Sequence, residues 1–324
     1  MVFKIKKNII DKRILNTVKN ALLIKPDEEI LIIYTEDKYE FAKLFSNTCK
    51  EIRANVSLCL IEQKDVTNKE PPRPIAIAMK NSDIVLCITS ISLTHTKAVT
   101  DAIKSGARIA SMPGFTKKML PALDINYNEL SNICKRIGNL LNKTDNITIK
   151  TEIGTDLTLY RGKRRAKIDD GIFDKKGSLH NIPSGECCIA PIEDSASGIA
   201  IIDACMVGIE KIKYPIYITI KDGKITKIEG HYEAKKLNEI LLKSDENSKT
   251  LCEFSLGLNE KARLIGNVLN DEKALGTCHI AFGDNINIGG KNRSNVHLDG
   301  VIKKPTIMFD DEIIMKNGIF RWRW

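Results

Sequence analysis

Two short stretches carry the residues best suited to chemistry. "GTCHIAFG" (Gly276 to Gly283) and "NVHLD" (Asn295 to Asp299) hold two of the five histidines in the chain. In a β-strand, side chains two residues apart project from the same face. "VHLD" therefore sets His297 beside Asp299 and turns Leu298 the other way. In "GTCHIAFG", His279 shares its face with Thr277 and Ala281, small neighbours that leave room for something other than a side chain. Two imidazoles and a carboxylate are donors that first-row metals take.

Two acids join them on chemical grounds. Glu253, in "TLCEFSLGL", falls inside a strand pattern between Cys252 and Phe254. Glu186 follows the Pro-Ser-Gly turn of "NIPSGECCIAP" and leads straight into an apolar run. An ionised carboxylate in or beside a buried strand is costly unless a cation or hydrogen-bond donors compensate. Together the five make a carboxylate-rich set able to hold two divalent ions. Each also has a plainer reading: a strand-end histidine with ordinary polar partners, an edge-strand Glu253 facing water, a Glu186 that caps its turn. Glu193, Asp194, Asp203, Asp271 and Glu272 read first as turn or capping residues and second as groups that orient a ligand. His95 sits at a helix start, and His180 lies close enough in sequence to reach the pocket of Glu186.

The elements that must position these groups change character along the chain. Up to about residue 145, β-branched apolar runs ("EEILIIYT", "ANVSLCLIE", "DIVLCITS", "ARIASMP") alternate with segments of helical spacing ("EDKYEFAKLFSNTCKEI", "PIAIAMKN", "THTKAVTDAIKSG", "NYNELSNICKRIGNLLNK"). That alternation predicts an α/β domain over 1–145 with a mostly parallel sheet. From about 146 to 324, alternating segments separated by Asp-Gly and Asn-Gly turns predict a β-rich, α+β domain of mostly antiparallel pairing. "ITIKDGKITKI" is the clearest hairpin, and "HYEAKKLNEILLKS" the one clear helix of that half.

Composition narrows the function classes. At 324 residues, with 43% hydrophobic and 28% charged residues, the chain has the make-up of a globular protein of two domains. The net charge of +9 is spread among nearly as many acids, and its densest cluster, "YRGKRRAK", carries no interleaved aromatic platform, which argues against nucleic acid. Nine cysteines without paired spacing fit reduced thiols in a cytoplasmic protein. "MVFKIKKNIIDKR" is charged too early for a signal peptide, and no apolar run reaches the roughly 18 residues that span a bilayer. Phosphate-loop, dinucleotide and serine-hydrolase motifs are missing.

Taken in order, "TEIGTDLTLYRG", "NIPSGECCIAPIEDSASG", "CEFSLGLN", "NDEKALGTCHIAFGDN" and "NVHLDGVIKKPTIMFDD" resemble the thermophilic metalloaminopeptidases of the aminopeptidase T type over most of residues 150–310. The resemblance implies an α/β domain joined to a β-rich metal-binding domain, and a homodimer. It places metal ligands on Glu186, Glu253, His279, His297 and Asp299, with Glu186 and Glu253 catalytic. The implied activity is an aminopeptidase on short peptides, with two zinc, cobalt or manganese ions activating water. The family has a tyrosine seven residues after the first histidine, where this chain has Ile286; Tyr160 or Arg161 would have to substitute. The same superfold includes a ferrous dioxygenase that opens a dihydroxypyridine ring and uses residues matching His279, His297 and Asp299. That branch is the alternative expectation, and a non-catalytic metal-binding relative is the third.

Overall fold

The computed structural model describes residues 12–62 and 69–321, so the N-terminal stretch weighed above as a signal peptide lies largely outside the described residues. The chain divides into two compact units, one of residues 1–131 and 169–184, the other of residues 132–168 and 185–324.

The first unit is built on a five-stranded sheet in the order Asn55–Leu60, Glu29–Tyr34, Ile84–Ile88, Arg108–Ser111, Leu179–Asn181, with every pair parallel. The strands are continuous apolar runs because helical crossovers cover a parallel sheet; Ile84–Ile88 is buried at every position. The helices Tyr39–Glu51, Arg73–Lys80 and Lys97–Lys104 fall in the segments whose spacing predicted them. Thr96, rather than the exposed His95, caps Lys97–Lys104 by accepting from the Val99 backbone N–H. His180 belongs to this unit. Its Nδ1 lies 2.9 Å from Asp169 Oδ1, and its ring meets Phe173 edge-on.

The second unit contains two antiparallel sheets. An eight-stranded one runs Lys224–Glu229, Ile216–Lys221, Ser197–Ile202, Asp156–Tyr160, Asn146–Lys150, Thr306–Phe309, Glu312–Lys316, Ile319–Phe320. Its first two strands form the predicted hairpin, whose turn residues Asp222 and Gly223 both adopt positive φ (49° and 73°), as a type I′ turn demands. The other sheet places Glu210–Lys211, Cys205–Met206, His297–Lys303, Thr277–Gly283, Leu251–Gly257, Glu186–Ile189 and Lys167–Asp169 side by side. The fold class expected from the pattern of periods is the one observed. All nine cysteines are free thiols.

Candidate metal centre

Cross-strand register brings the five donors to one face of the seven-stranded sheet. Glu186 stands opposite Gly257, His279 opposite Ser255 and Val301, and His297 opposite Gly283. Ala281 is flanked by Glu253 on one side and Asp299 on the other. Residues paired across antiparallel strands share a face, so small residues sit beside every donor and leave space above the sheet. A bulge between Leu251 and Glu253 shifts the register there and brings Glu253 into line with Ala281. The strand of Glu253 is paired on both sides, so this acid is interior, and it is 6% exposed. Gly257 admits the segment that follows its strand: a Cβ there would lie 2.3 Å from the Ala274 carbonyl and 2.8 Å from that of Glu272.

The donor atoms converge. His297 Nε2 is 3.1 Å from Asp299 Oδ1 and 3.3 Å from Glu253 Oε2. His279 Nε2 is 3.6 Å from Glu253 Oε1, 3.7 Å from Glu186 Oε2 and 3.9 Å from Asp299 Oδ1. Those last three separations exceed good hydrogen-bond length. Donors about 2.1 Å from one ion lie about 3.0 Å apart in octahedral and about 3.4 Å apart in tetrahedral geometry; the two His297 separations fall in that range, and the three of His279 are 0.2–0.5 Å wider than the tetrahedral edge.

Tautomer chemistry points the same way. His297 Nδ1 is 2.7 Å from the Asp284 carbonyl oxygen, which can only accept, so Nδ1 carries a proton and donates it. Nε2 then faces two carboxylates, an arrangement that needs a proton or a metal ion between them. Metal-bound imidazoles ordinarily have such an outer acceptor. His279 has none: its Nδ1 is buried and lacks a hydrogen-bond partner among the described residues.

The cluster attracts positive charge. Burial works against protonation of His279, but the nearby Glu253 carboxylate and the charges of Glu186, Glu272 and Asp299 outweigh it and push the imidazole up to about 9. For His297, too, burial opposes the charge; Asp299 and Cys252 override it and hold the ring well above the usual range. Despite the cost of burial, both imidazoles keep Glu253 well below the usual carboxylate range, and His297 lowers Asp299. A divalent ion would satisfy the demand that protons otherwise meet. The residues fit a metal ion.

Not every candidate joins them. Tyr160 stands at the end of Asp156–Tyr160 in the other sheet, 42% exposed, and no described contact links it to the cluster. Arg161 donates to the Thr144 and Arg164 carbonyls. Asp203 accepts from the Lys303 backbone, and Asp271 from Ile265 and Gly266. Glu193 takes a bidentate ion pair from Arg164 and the backbone N–H of Lys291, fastening the segment that carries the Asp284 carbonyl. Asp194 is exposed. Ile286 opens a short 3₁₀ turn and is 37% exposed.

Sequence reasoning missed Lys273. Its side chain is fully buried, with Nζ 2.6 Å from Glu186 Oε1 and 2.7 Å from Glu272 Oε1. Burial, with Glu186 and Asp299, pushes Glu272 up to about 7 against the pull of Lys273. A lysine preceded by three acidic or amide residues reads as a surface residue, and no feature of "NDEKALGT" marks it as interior.

A parallel α/β unit, joined in sequence to an antiparallel unit with a two-histidine, carboxylate-rich cluster on one sheet, defines the aminopeptidase T-like fold, which ring-opening dioxygenases share. The solved structure of 2,5-dihydroxypyridine dioxygenase from Pseudomonas putida KT2440 superposes with a TM-score of 0.82 at 18% identity, covering 96% of each chain. Wild-type AmpT from Thermus thermophilus gives 0.73 at 15% identity, covering 98% of this chain and 100% of that one. At such identities these likenesses establish the fold. The family model described as 2,5-dihydroxypyridine 5,6-dioxygenase (NicX) matches residues 20–321, and the chain belongs to that family. The curated 2,5-dihydroxypyridine 5,6-dioxygenase of Pseudomonas putida KT2440 is 25% identical over 257 residues, 74% of this chain and 71% of the relative.

This membership overturns the expectation of a hydrolase, whether aminopeptidase or metalloprotease, and the peptide substrate goes with it. Zinc, cobalt and manganese lose the support that the peptidase resemblance lent them. The physical reason is plain: the motifs behind the resemblance are the strand segments of a shared donor frame, which does not record the branch. Among the described residues no helix is long and apolar enough to cross a membrane.

Proposed function

We propose that this chain is a non-haem iron(II) dioxygenase that opens a dihydroxylated, nitrogen-containing aromatic ring, with His279, His297 and Asp299 as the iron ligands. The observation that carries this reading is the meeting of two imidazole Nε2 atoms with the Asp299 carboxylate, in a chain of a family so described. Two histidines and one carboxylate with open positions suit ferrous iron and dioxygen. Held by His279, His297 and Asp299, a ferrous ion would supply the redox chemistry that lets dioxygen react with the ring.

The protein's own groups do the rest. The Asp284 carbonyl fixes the His297 tautomer, so that Nε2 presents its lone pair to the centre. Glu253 faces both imidazoles from a buried strand and remains an ionised acceptor, able to take a hydrogen bond from a ring hydroxyl.

The test uses full-length protein loaded anaerobically with ferrous ion and supplied with 2,5-dihydroxypyridine. An oxygen electrode and the ring's ultraviolet absorbance are followed together. One dioxygen consumed per ring lost is expected, and His297→Ala abolishes both. Ring loss without oxygen uptake, or no reaction in metal-loaded protein, overturns the proposal.

A further inference from the structure

Three ligands suffice for one iron, which leaves Glu186 and Glu272 without a task at the centre. Both are gripped by a single buried cation. Lys273 Nζ lies 2.6 Å from Glu186 Oε1 and 2.7 Å from Glu272 Oε1, with the lysine side chain 0% exposed. The other oxygen of Glu186 is 3.7 Å from His279 Nε2, so this lysine sits one carboxylate away from a ligand. The donors also fall into two triads that share Asp299. One is Glu253, His297 and Asp299; the other is Glu272, His279 and Asp299, with the donor atoms of each within 4.8 Å of one another.

Two triads sharing a carboxylate are the frame of a two-cation centre. Three buried carboxylates and the partly buried Asp299 crowd it, and their charge needs more than one divalent ion to balance. A lysine ammonium is a compact point charge with three donors, the side chain best able to stand in for a cation among oxygens. We propose that the Lys273 ammonium takes the place of a second divalent ion in this donor frame, holding Glu186 and Glu272 as its counter-charges and limiting the centre to one metal. Lys273 is thus a positioning residue that sets metal stoichiometry. A second ion would lie beside a fixed positive charge in a poorly screened interior, and the two would repel. The inference rests on the cluster being a metal centre, not on the ring that it opens.

The experiment counts ions. Metal-free full-length protein is titrated with Mn²⁺ without oxygen, unbound ion is removed by gel filtration, and bound manganese is measured by elemental analysis and electron paramagnetic resonance. Wild type is expected to saturate at one ion with an uncoupled six-line signal. Lys273→Met is expected to take up two, with a spin-coupled signal, and Lys273→Arg to remain at one. Two ions in wild type overturn the inference without recourse to any variant. A Lys273→Met protein that folds and still saturates at one overturns it as well. Oxygen uptake separates this result from the functional reading. One ion without uptake refutes the dioxygenase and leaves Lys273 its role; two ions with uptake do the reverse.

Discussion

Replacing Lys273 by methionine, in the absence of metal, tests whether the buried charge network is what the geometry says it is. Methionine matches the length of the lysine stem but leaves Glu186 and Glu272 facing each other without their cation. The three side chains are 0%, 12% and 9% exposed, so water cannot take over the lost interaction. Removing one partner of a buried ion pair costs about 3–5 kcal/mol, most of it the penalty of stranding the remaining charge. For a unit of 150–250 residues each kcal/mol moves the melting temperature by about 2–4 °C, which gives a fall of roughly 6–20 °C. The stranded charge, not the lost packing, must be the cause. The triple variant Lys273→Met, Glu186→Gln, Glu272→Gln is therefore expected to regain at least half of the loss. Urea denaturation with a chelator present measures both. A single variant within about 1 kcal/mol of wild type, or a triple variant no more stable than the single one, would refute the reasoning.

Three further outcomes follow from the same geometry. His279 has its pKa raised from 6.5 to about 9, so its contribution to the metal-free fold is complete below pH 6.5 and is lost as pH rises through 9. Chelator-competition titrations should show metal affinity climbing across that window, by up to about a hundredfold per pH unit because His279 and His297 must both release a proton; a flat profile would contradict the assignment. Gly257→Ala drives a methyl against the backbone carbonyls of Ala274 and Glu272 and should cost about 1–3 kcal/mol in chemical denaturation, whereas wild-type stability would show that the segment can retreat. Glu193→Gln releases Arg164 and the Lys291 N–H, and with this partly exposed group screened by solvent the loss should be about 1–2 kcal/mol. Because that segment carries the carbonyl that orients His297, metal affinity should drop by about tenfold as well; unchanged affinity would show that Asp284 is held without it.

The five donors were legible because strand geometry repeats every two residues. "VHLD" and "GTCHIAFG" fix which side chains share a face before any pairing is known, and the small residues around the histidines marked the open side. Which strands pair is a long-range fact, and "TLCEFSLGL" does not reveal that Glu253 lies in an interior strand or that a bulge brings it level with Ala281. Lys273 was invisible for a related reason. A buried lysine is recognisable only by its partners, and Glu186 stands 87 residues away in sequence. The fifth strand of the parallel sheet, Leu179–Asn181, is three residues long and too short for any period to register. Tyr160 was expected only as a stand-in for the tyrosine that the peptidase resemblance implied, and the structure leaves it on a different sheet from the cluster.

Glu186, Glu253, His279, His297 and Asp299 ride on hydrogen-bonded ladders, whereas the connections between strands, such as Asp284 to Val296, carry none of these five. Insertions and replacements in those connections can remake the rim of the pocket while the registers Ala281 to Asp299 and Gly257 to Glu186 stay locked. Structures sharing only 15–18% of their residues with this chain keep the same scaffold, as that division between ladder and connection allows.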